Sequence, residues 1–111
     1  MAKLPNPRDG VVDVRKLRDY CLSLDHPRGK HKARVFASAL GLAADDAEEL
    51  RAALLFAALS GEAISGGNDQ YGERYMLDFE METAAGTAMV RSAWIVRREE
   101  EFPRLTSCWV I

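Results

Sequence analysis

The chain has 111 residues, of which 48% are apolar and 29% charged, and its 15 basic and 17 acidic side chains give a formal net charge of −2. This length suits one hydrophobic core, so we expect residues 1–111 to form a single domain. The composition excludes collagen-like, low-complexity and disordered proteins, and no apolar run approaches the ~18 residues of a membrane-spanning helix. Residues 1–10 lack the apolar centre of a secretory signal peptide, so the expected location is the cytoplasm, without membrane contact.

The first half of the chain has the periodicity of helices. Asp13 is a suitable N-cap for a first helix, whose apolar residues recur at helical spacing as far as Leu24. A proline and a glycine interrupt this pattern. A second helix is then predicted from about Lys30 to Leu40, with Gly41 in a left-handed C-terminal cap.

A third helix is predicted after an acidic pair. Asp45 and Glu48 have the spacing of a capping box, and Gly61 follows the last apolar position of the pattern. The side chains expected to be buried recur at helical spacing and are Leu50, Ala53, Leu54, Ala57 and Ala58.

From Glu62 onward the apolar period changes to two. Ser65–Asp69 is glycine-rich but matches no phosphate-binding motif, so we expect a loop there. Residues 75–82 alternate apolar and mainly acidic side chains, which predicts a half-buried strand. Ala85–Gly86 has the composition of a hairpin turn.

Two further strands are predicted after this turn. Thr87–Arg97 is mostly apolar on both alternating faces, which favours a central strand covered on both sides. Arg104–Ile111 forms the last strand, directly after a proline in a position where it is tolerated. The predicted fold class is α+β, with two to three N-terminal helices packed on a three- to four-stranded antiparallel sheet.

Residues 26–34 have the most unusual local composition. They contain four Lys or Arg, two His and no acid, so the rest of the chain carries −6. A positive patch on an otherwise acidic protein attracts phosphate to one place, which suits an RNA-binding or RNA-cleaving site. The N-terminus of the second helix would add its dipole there. A solvated basic helix start is the alternative, and the candidate substrate-binding residues of this segment are Arg28, Lys30 and Arg34.

His26 is the candidate general acid or base. An imidazole is the side chain most often used to move protons near neutral pH, and phosphodiester cleavage without a metal needs such a group. The alternative is a turn residue that caps nearby backbone groups. No histidine and carboxylate have the spacing of a helical metal site, so neither a metal nor another cofactor is predicted.

Two arginines on the predicted strands are further candidates. Arg91 lies among apolar residues, where an arginine needs either a carboxylate partner or a ligand phosphate, and Asp78 or Glu80 could supply the carboxylate. Arg104 and Thr106 lie on the last strand, where Thr106 is equally explained as an ordinary strand residue. The same two carboxylates would instead serve a metal-dependent nuclease, a third possibility.

The two cysteines, Cys21 and Cys108, are far apart in the chain. Their surroundings lack the spacing of a zinc site or a thiol-exchange motif. We therefore expect them to be small buried side chains.

Several segments together resemble a bacterial domain family of unknown function, over roughly residues 4–111. The segments that carry the resemblance are Leu4–Asn6, Lys16–Leu22, His26–Phe36, Arg91–Val96 and Phe102–Thr106. Members of that family look like small toxin domains, found beside an antitoxin-like partner or at the end of larger secreted toxins.

The order of helices and sheet is also similar to the barnase, EndoU and RelE group of metal-independent ribonucleases. That resemblance implies His26 as the general acid or base and Lys32 and Arg91 as stabilisers of the pentavalent phosphate. It also implies that Arg104 and Thr106 position the phosphate. The acidic balance of the chain, with a pI of about 5.7, departs from what a ribosome-directed ribonuclease would have.

The function predicted at this point is a toxin-like ribonuclease that cleaves tRNA or mRNA without a metal. Its catalytic residues would be His26, Lys32, Arg91 and Thr106, and its partners RNA and a cognate antitoxin or immunity-like protein. The alternative is a non-catalytic interaction module, the antitoxin or immunity-type partner of such a pair. The oligomeric state stays open.

Overall fold

A computed structural model describes residues 3–111 of the chain. Helices come first and a four-stranded antiparallel sheet follows, in the strand order β1-β2-β3-β4, which confirms the α+β prediction. The elements are α1 (Val14–Lys16), α2 (Lys30–Leu40), α3 (Ala47–Ser60), β1 (Ala63–Asp69), β2 (Gly72–Thr83), β3 (Gly86–Arg97) and β4 (Arg104–Val110). Within residues 3–111, no helix has both the length and the apolar character needed to cross a bilayer.

The first helix begins where it was predicted to begin but ends early. The Asp13 carboxylate accepts the backbone N–H of Arg15 at 2.9 Å, as an N-cap does. After α1 the chain forms a π-helical turn over Leu17–Cys21. The first and last residues of this turn, Leu17 and Cys21, are buried in the core. The predicted continuation to Leu24 is wrong, since that side chain is 54% exposed.

Of the two helix caps predicted for α2 and α3, one is confirmed and one is wrong. Gly41 has φ of 65° after α2, which confirms the left-handed cap. The capping box at Asp45 is wrong, because α3 is preceded by a 3-10 turn over Ala44–Asp46. The Asp46 carboxylate accepts the N–H of Ala43 at 2.9 Å, and α3 begins at Ala47 with Asp46 at the N-cap position, one residue later than predicted.

The core lies between the helices and one face of the sheet. Leu77, Trp94 and Cys108 contribute from the strands, and each is 1% exposed or less. Helical side chains buried to the same degree include Leu17, Phe36, Leu40, Leu50 and Leu54. Complete burial of a side chain of this size stabilises the fold by roughly 1.5–3 kcal/mol, so this layer fixes where the helices lie on the sheet.

One polar group inside this core is fully satisfied. The Ser92 hydroxyl, 0% exposed, donates to the carbonyl oxygen of Leu77 at 2.7 Å and accepts the indole N–H of Trp94 at 2.8 Å. A buried hydroxyl left without partners would destabilise the fold, so this chain of bonds holds β2 and β3 together at the centre of the sheet.

The opposite face of the sheet, which we call the open face, carries Asp78, Glu80, Met89, Arg91 and Trp109. The central position of β3 is confirmed by the strand order. The prediction that β3 is covered on both sides is wrong, since Met89 on the open face is 40% exposed. The α2 and α3 helices and the π-helical turn pack on one face of the sheet, and Met89 of β3 on the other face stays exposed.

The glycine-rich stretch Ser65–Asp69 was expected to be a loop, and this is wrong. It belongs to β1, which pairs with β2 and has a register shift between Ser65 and Gly67. All its residues after Ala63 are exposed, so no buried apolar face marks the strand in the sequence. Pairing with β2 supplies the backbone hydrogen bonds that the local composition does not predict.

Candidate functional site

The turn before α2 is organised by His26. Its ring nitrogen Nδ1 accepts the backbone N–H groups of Arg28 and Gly29, each at 3.0 Å. The ring also makes an edge-to-face contact with Tyr20, with ring centroids 4.6 Å apart at 83°. This geometry corresponds to the capping role that the sequence left open for His26.

The two backbone bonds define what the imidazole can do. A neutral imidazole has one nitrogen with a lone pair, and Nδ1 must be that nitrogen because it accepts hydrogen bonds. The proton therefore lies on Nε2, which is a hydrogen-bond donor. A general base takes up a proton through its free lone pair, and here that lone pair is already engaged by the turn. The Nε2–H stays available for the general-acid half of the prediction.

Gly29 allows this turn to lie against the π-helical turn. A Cβ at this position would lie 2.4 Å from the carbonyl oxygen of Tyr20, which belongs to backbone and cannot rotate away. Glycine is therefore required by the close approach of two backbone segments. The approach fixes the start of α2 relative to His26 and Tyr20.

The basic α2 surface, as we call Arg28, Lys30, Lys32 and Arg34, lies on this turn and the first part of the helix. Arg28 and Arg34 are exposed, whereas Lys30 and Lys32 are half-buried. Across residues 3–111, the ion pairs of the fold involve none of these four cations. Their charge is uncompensated within the described chain and adds to the positive end of the α2 dipole.

Lys32 is the one member of this surface with a specific contact. Its Nζ lies 4.4 Å from the centroid of the Trp109 ring, a cation–π geometry. Arg91 is the partner of Trp109 across β3 and β4. Lys32 therefore contacts the ring of Trp109, whose cross-strand neighbour is Arg91, while the Arg91 guanidinium itself is bonded to Asp78.

Arg91 is held by a carboxylate on the open face. Its Nε and Nη2 donate to the two carboxylate oxygens of Asp78, each at 2.9 Å, across β2 and β3. The side chains are 39% and 33% exposed. The Arg91 guanidinium lowers the pKa of Asp78, and Asp78 in turn raises the pKa of Arg91. The structure shows the carboxylate pairing that was one of the two interpretations of this arginine.

Arg104 and Thr106 lie at the other end of β4. Arg104 makes a bidentate ion pair with Glu100, in which Nε and Nη2 each donate to a carboxylate oxygen at 2.8 Å. This pairing lowers the pKa of Glu100. The Thr106 hydroxyl donates to the carbonyl oxygen of Ala93 at 3.0 Å, beside the register shift in β3 and β4. Arg104 is five residues from Trp109, or about 17 Å along a strand, so these residues do not converge with Lys32.

The sequence predicted the burial of Cys21 and Cys108 but not their contact. They are 1% and 0% exposed, which confirms the burial. Hydrogen bonding from Cys108 lowers the pKa of Cys21 to about 7, against the opposing effect of burial, and the pKa of Cys108 is raised. Residues 87 positions apart meet here because the π-helical turn packs on β4, and no local sequence signal predicts such a contact.

Two surface grooves lie beside charged side chains of the sheet. One of about 600 Å³ lies on the open face beside the Asp78–Arg91 pair. Another of about 480 Å³ lies between α3 and β2. Among residues 3–111, no group of three or more His, Cys, Asp or Glu is arranged to hold a metal ion.

Comparison with known proteins gives one match. A family model described as a domain of unknown function, DUF6883, matches residues 3–111. Neither the curated proteins nor the solved structures include a match to this chain. Since the matched region covers almost the whole chain, the protein belongs to the DUF6883 family.

Proposed function

We propose that this protein is a non-catalytic interaction module, the partner-binding member of a bacterial toxin system, and that its basic α2 surface binds an acidic segment of a cognate protein. One observation carries the proposal. The four cations of that surface have no carboxylate partner in the described chain, while Arg91 and Arg104 are each neutralised by one. Unpaired charge at one place on an acidic protein is what a complementary partner recognises.

The groups assigned to catalysis support this function better than ribonuclease activity. Cleavage of RNA without a metal needs a base with a free lone pair and cations that converge on one phosphate. His26 uses its lone pair in the turn, and the Thr106 hydroxyl bonds to a strand carbonyl. Metal-independent cleavage of tRNA or mRNA is the competing prediction, favoured by the contact of Lys32 with Trp109, the cross-strand neighbour of Arg91.

The size of the patch favours a short acidic peptide segment over an RNA strand. The cations lie within seven residues, and the rest of the chain is net −6. A nucleic acid continues its negative charge beyond such a patch, where an acidic surface repels it. A short acidic protein segment can carry its negative charge only over the length of the patch, so the acidic remainder of the chain does not repel it.

The cellular setting of the proposal comes from the family resemblance. A cognate toxin, antitoxin or immunity-like protein encoded beside this chain would be the partner, and the two would meet in the cytoplasm. The binding would have a fast, salt-sensitive association, since exposed charges dominate it.

The test is titration of a labelled, acetylated peptide of alternating glutamate and serine, followed by fluorescence anisotropy at low salt. The binding variant carries Arg28→Glu, Lys30→Glu and Arg34→Glu. The control variant carries Lys3→Glu, Arg8→Glu and Arg97→Glu, which make the same change in net charge elsewhere. We expect the binding variant to lose about tenfold or more in affinity and the control to lose much less.

Two outcomes would overturn the proposal. Equal weakening in both variants would mean that only net charge matters. Discrete cleavage of bacterial RNA by the wild-type protein in the presence of chelator, lost in His26→Asn while the fold is retained, would establish the ribonuclease instead.

A further inference from the structure

Half of strand β2 has a neighbour on one side only. β1 begins at Ala63, opposite Leu77, so the residues of β2 after Leu77 pair with β3 but not with β1. Within residues 3–111, no other strand lies on that side. We call residues 78–83 the β2 free edge.

The register shows which backbone groups point outward along this edge. The N–H of Ile111 donates to the carbonyl oxygen of Met89 at 3.0 Å, so the backbone of Met89 faces β4. Its partner across the sheet is Glu80, which therefore does not bond to β3 through its backbone. By alternation, the N–H and C=O groups of Asp78, Glu80 and Glu82 all point away from β3.

The free edge borders an apolar groove. The groove of about 480 Å³ runs between the edge and α3. Phe56 on α3 lines it and is 71% exposed, which is unusual for so large an apolar side chain. The other apolar residues of its walls are Ala53, Ala57, Phe79 and Met81.

Acidic side chains surround this groove. Glu49 lies on its α3 side, and Glu80 and Glu82 lie on its β2 side. Neither of the two β2 glutamates is in an ion pair of the described chain. The groove thus combines unpaired backbone groups, an exposed aromatic ring and uncompensated negative charge.

We propose that an extended segment of a partner protein, in which Lys or Arg alternates with apolar residues, adds to the β2 free edge as a fifth strand. Its backbone would pair with Glu80 and Glu82, since Glu62, the residue before β1, lies opposite Asp78. Its apolar side chains would lie opposite Phe79 and Met81 and enter the groove, since successive strand residues face opposite sides. Its cations would lie opposite Glu80 and Glu82 on the open face, where cross-strand pairs of opposite charge are stabilising.

The same charges disfavour a second copy of this chain at the edge. Two β2 free edges paired with each other would bring glutamates against glutamates, and like charges directly opposite are destabilising. Strand addition to an exposed sheet edge is a general way of binding extended peptides, and alternate side chains give its specificity. The inference does not depend on the basic α2 surface, which lies on a different element.

The test uses two synthetic peptides of the same composition. In the first, lysine alternates with valine and leucine over seven residues; in the second, the lysines and the apolar residues form separate blocks. Both are acetylated, amidated and labelled, and binding to the full chain is followed by fluorescence anisotropy. We expect the alternating peptide to bind about tenfold or more tightly than the block peptide.

Protein variants locate the binding. Phe56→Ala removes the exposed aromatic ring that lines the groove. Glu80→Pro removes an outward backbone N–H at an edge position where proline is tolerated. Both are expected to weaken binding at least severalfold, whereas Ile64→Ala, which removes another exposed apolar side chain, leaves it unchanged. An alternating peptide with N-methylated backbone amides tests the strand pairing without any change in the protein, and it should fail to bind.

Several results would overturn this inference. These are equal affinity for the two peptides, an affinity unchanged by Phe56→Ala, undiminished binding of the N-methylated peptide, or a dimer that Glu80→Pro disrupts. The outcome is separable from the proposed function, because the Arg28→Glu, Lys30→Glu, Arg34→Glu variant should retain the β2 free edge and bind the alternating peptide.

Discussion

The basic α2 surface and the open face of the sheet both carry several charged side chains, but the two regions use their charge differently. On the open face Arg91 is held by Asp78 through two bonds of 2.9 Å. At the start of α2, Arg28, Lys30 and Arg34 have no acidic partner in residues 3–111. The difference teaches that an arginine inside a strand pattern is a weaker functional signal than a cluster of cations without nearby acids.

The physical reason lies in the geometry of the two elements. In an antiparallel pair, directly opposite residues have Cβ atoms about 4.5–5.5 Å apart, so an acid on one strand meets a base on the next. On a helix the neighbours are three and four positions away. Residues 26–34 contain no acid, and so α2 cannot neutralise its own first turns.

The largest effect is expected where the start of α2 meets the π-helical turn. Gly29→Ala would place a Cβ 2.4 Å from the Tyr20 carbonyl oxygen, and overpacking of this kind destabilises a protein by about 1–3 kcal/mol. Urea unfolding followed by circular dichroism measures it. Gly66→Ala is the matched control, since its nearest contact would be an ordinary 3.5 Å. Equal stability of Gly29→Ala and wild type would show that the two backbones are not in contact.

An intermediate effect is expected at His26, where capping and catalysis make different predictions. His26→Ala removes the acceptor of two backbone N–H groups and should lower stability by about 1 kcal/mol, as loss of a cap does. His26→Asn has a side-chain oxygen that can accept the same bonds, so it should regain most of that stability. Thermal unfolding of the three proteins gives the comparison, and an asparagine variant no more stable than the alanine variant would contradict the capping role.

The smallest effect is expected on the open face, where the ion pair is partly exposed to solvent. The pKa of Asp78 is lowered in the folded protein from its usual 3.8, so its carboxylate form is the one that folding favours. The contribution of the pair to stability is therefore present above pH 3.8 and is lost as the pH falls through the folded-state pKa. In the Asp78→Asn variant, the free energy of unfolding should fall less steeply as the pH is lowered below 3.8. At neutral pH the variant should lose less stability than His26→Ala does.

The control for this pair is salt. An exposed ion pair is screened at high ionic strength, so the difference between wild type and Asp78→Asn should shrink as salt is added. NMR titration of the Asp78 carboxyl carbon measures the pKa directly, and a value at or above 3.8 would contradict the pairing with Arg91.

Sequence reasoning succeeded where a feature depends on neighbouring residues alone. Asp13 caps α1 and Gly41 ends α2 because the bonds and dihedral angles concerned are local. The alternation of residues 75–82 predicted the buried side of β2, and Leu77 lies there. It failed in β1, where pairing with a neighbouring strand overrides the local composition, and on the second face of β3, which nothing in the described chain covers. At Asp45 a competing local bond, from the Ala43 N–H to Asp46, replaced the predicted cap.

The candidate site divides in the same way. The basic composition of residues 26–34 is a property of the sequence, and their lack of acidic partners follows from the fold. For His26 and Arg91 the sequence left two interpretations each. The local turn bonds of His26 and the cross-strand pairing of Arg91 favour the structural one. The contact of Cys21 with Cys108 and the free edge of β2 had no sequence signal, since each depends on which segments the fold brings together.

By itself the sequence determined the fold class, the order of helices before strands and the place of the basic cluster at residues 26–34. These depend on periodicity, caps and composition, which act over a few residues. Only the tertiary structure decided that Arg91 is paired with Asp78, that Cys21 meets Cys108 and that β2 has an unpaired half. Hydrogen bonds and ion pairs need partners within about 3 Å, and the packing of distant segments determines which partners are that close.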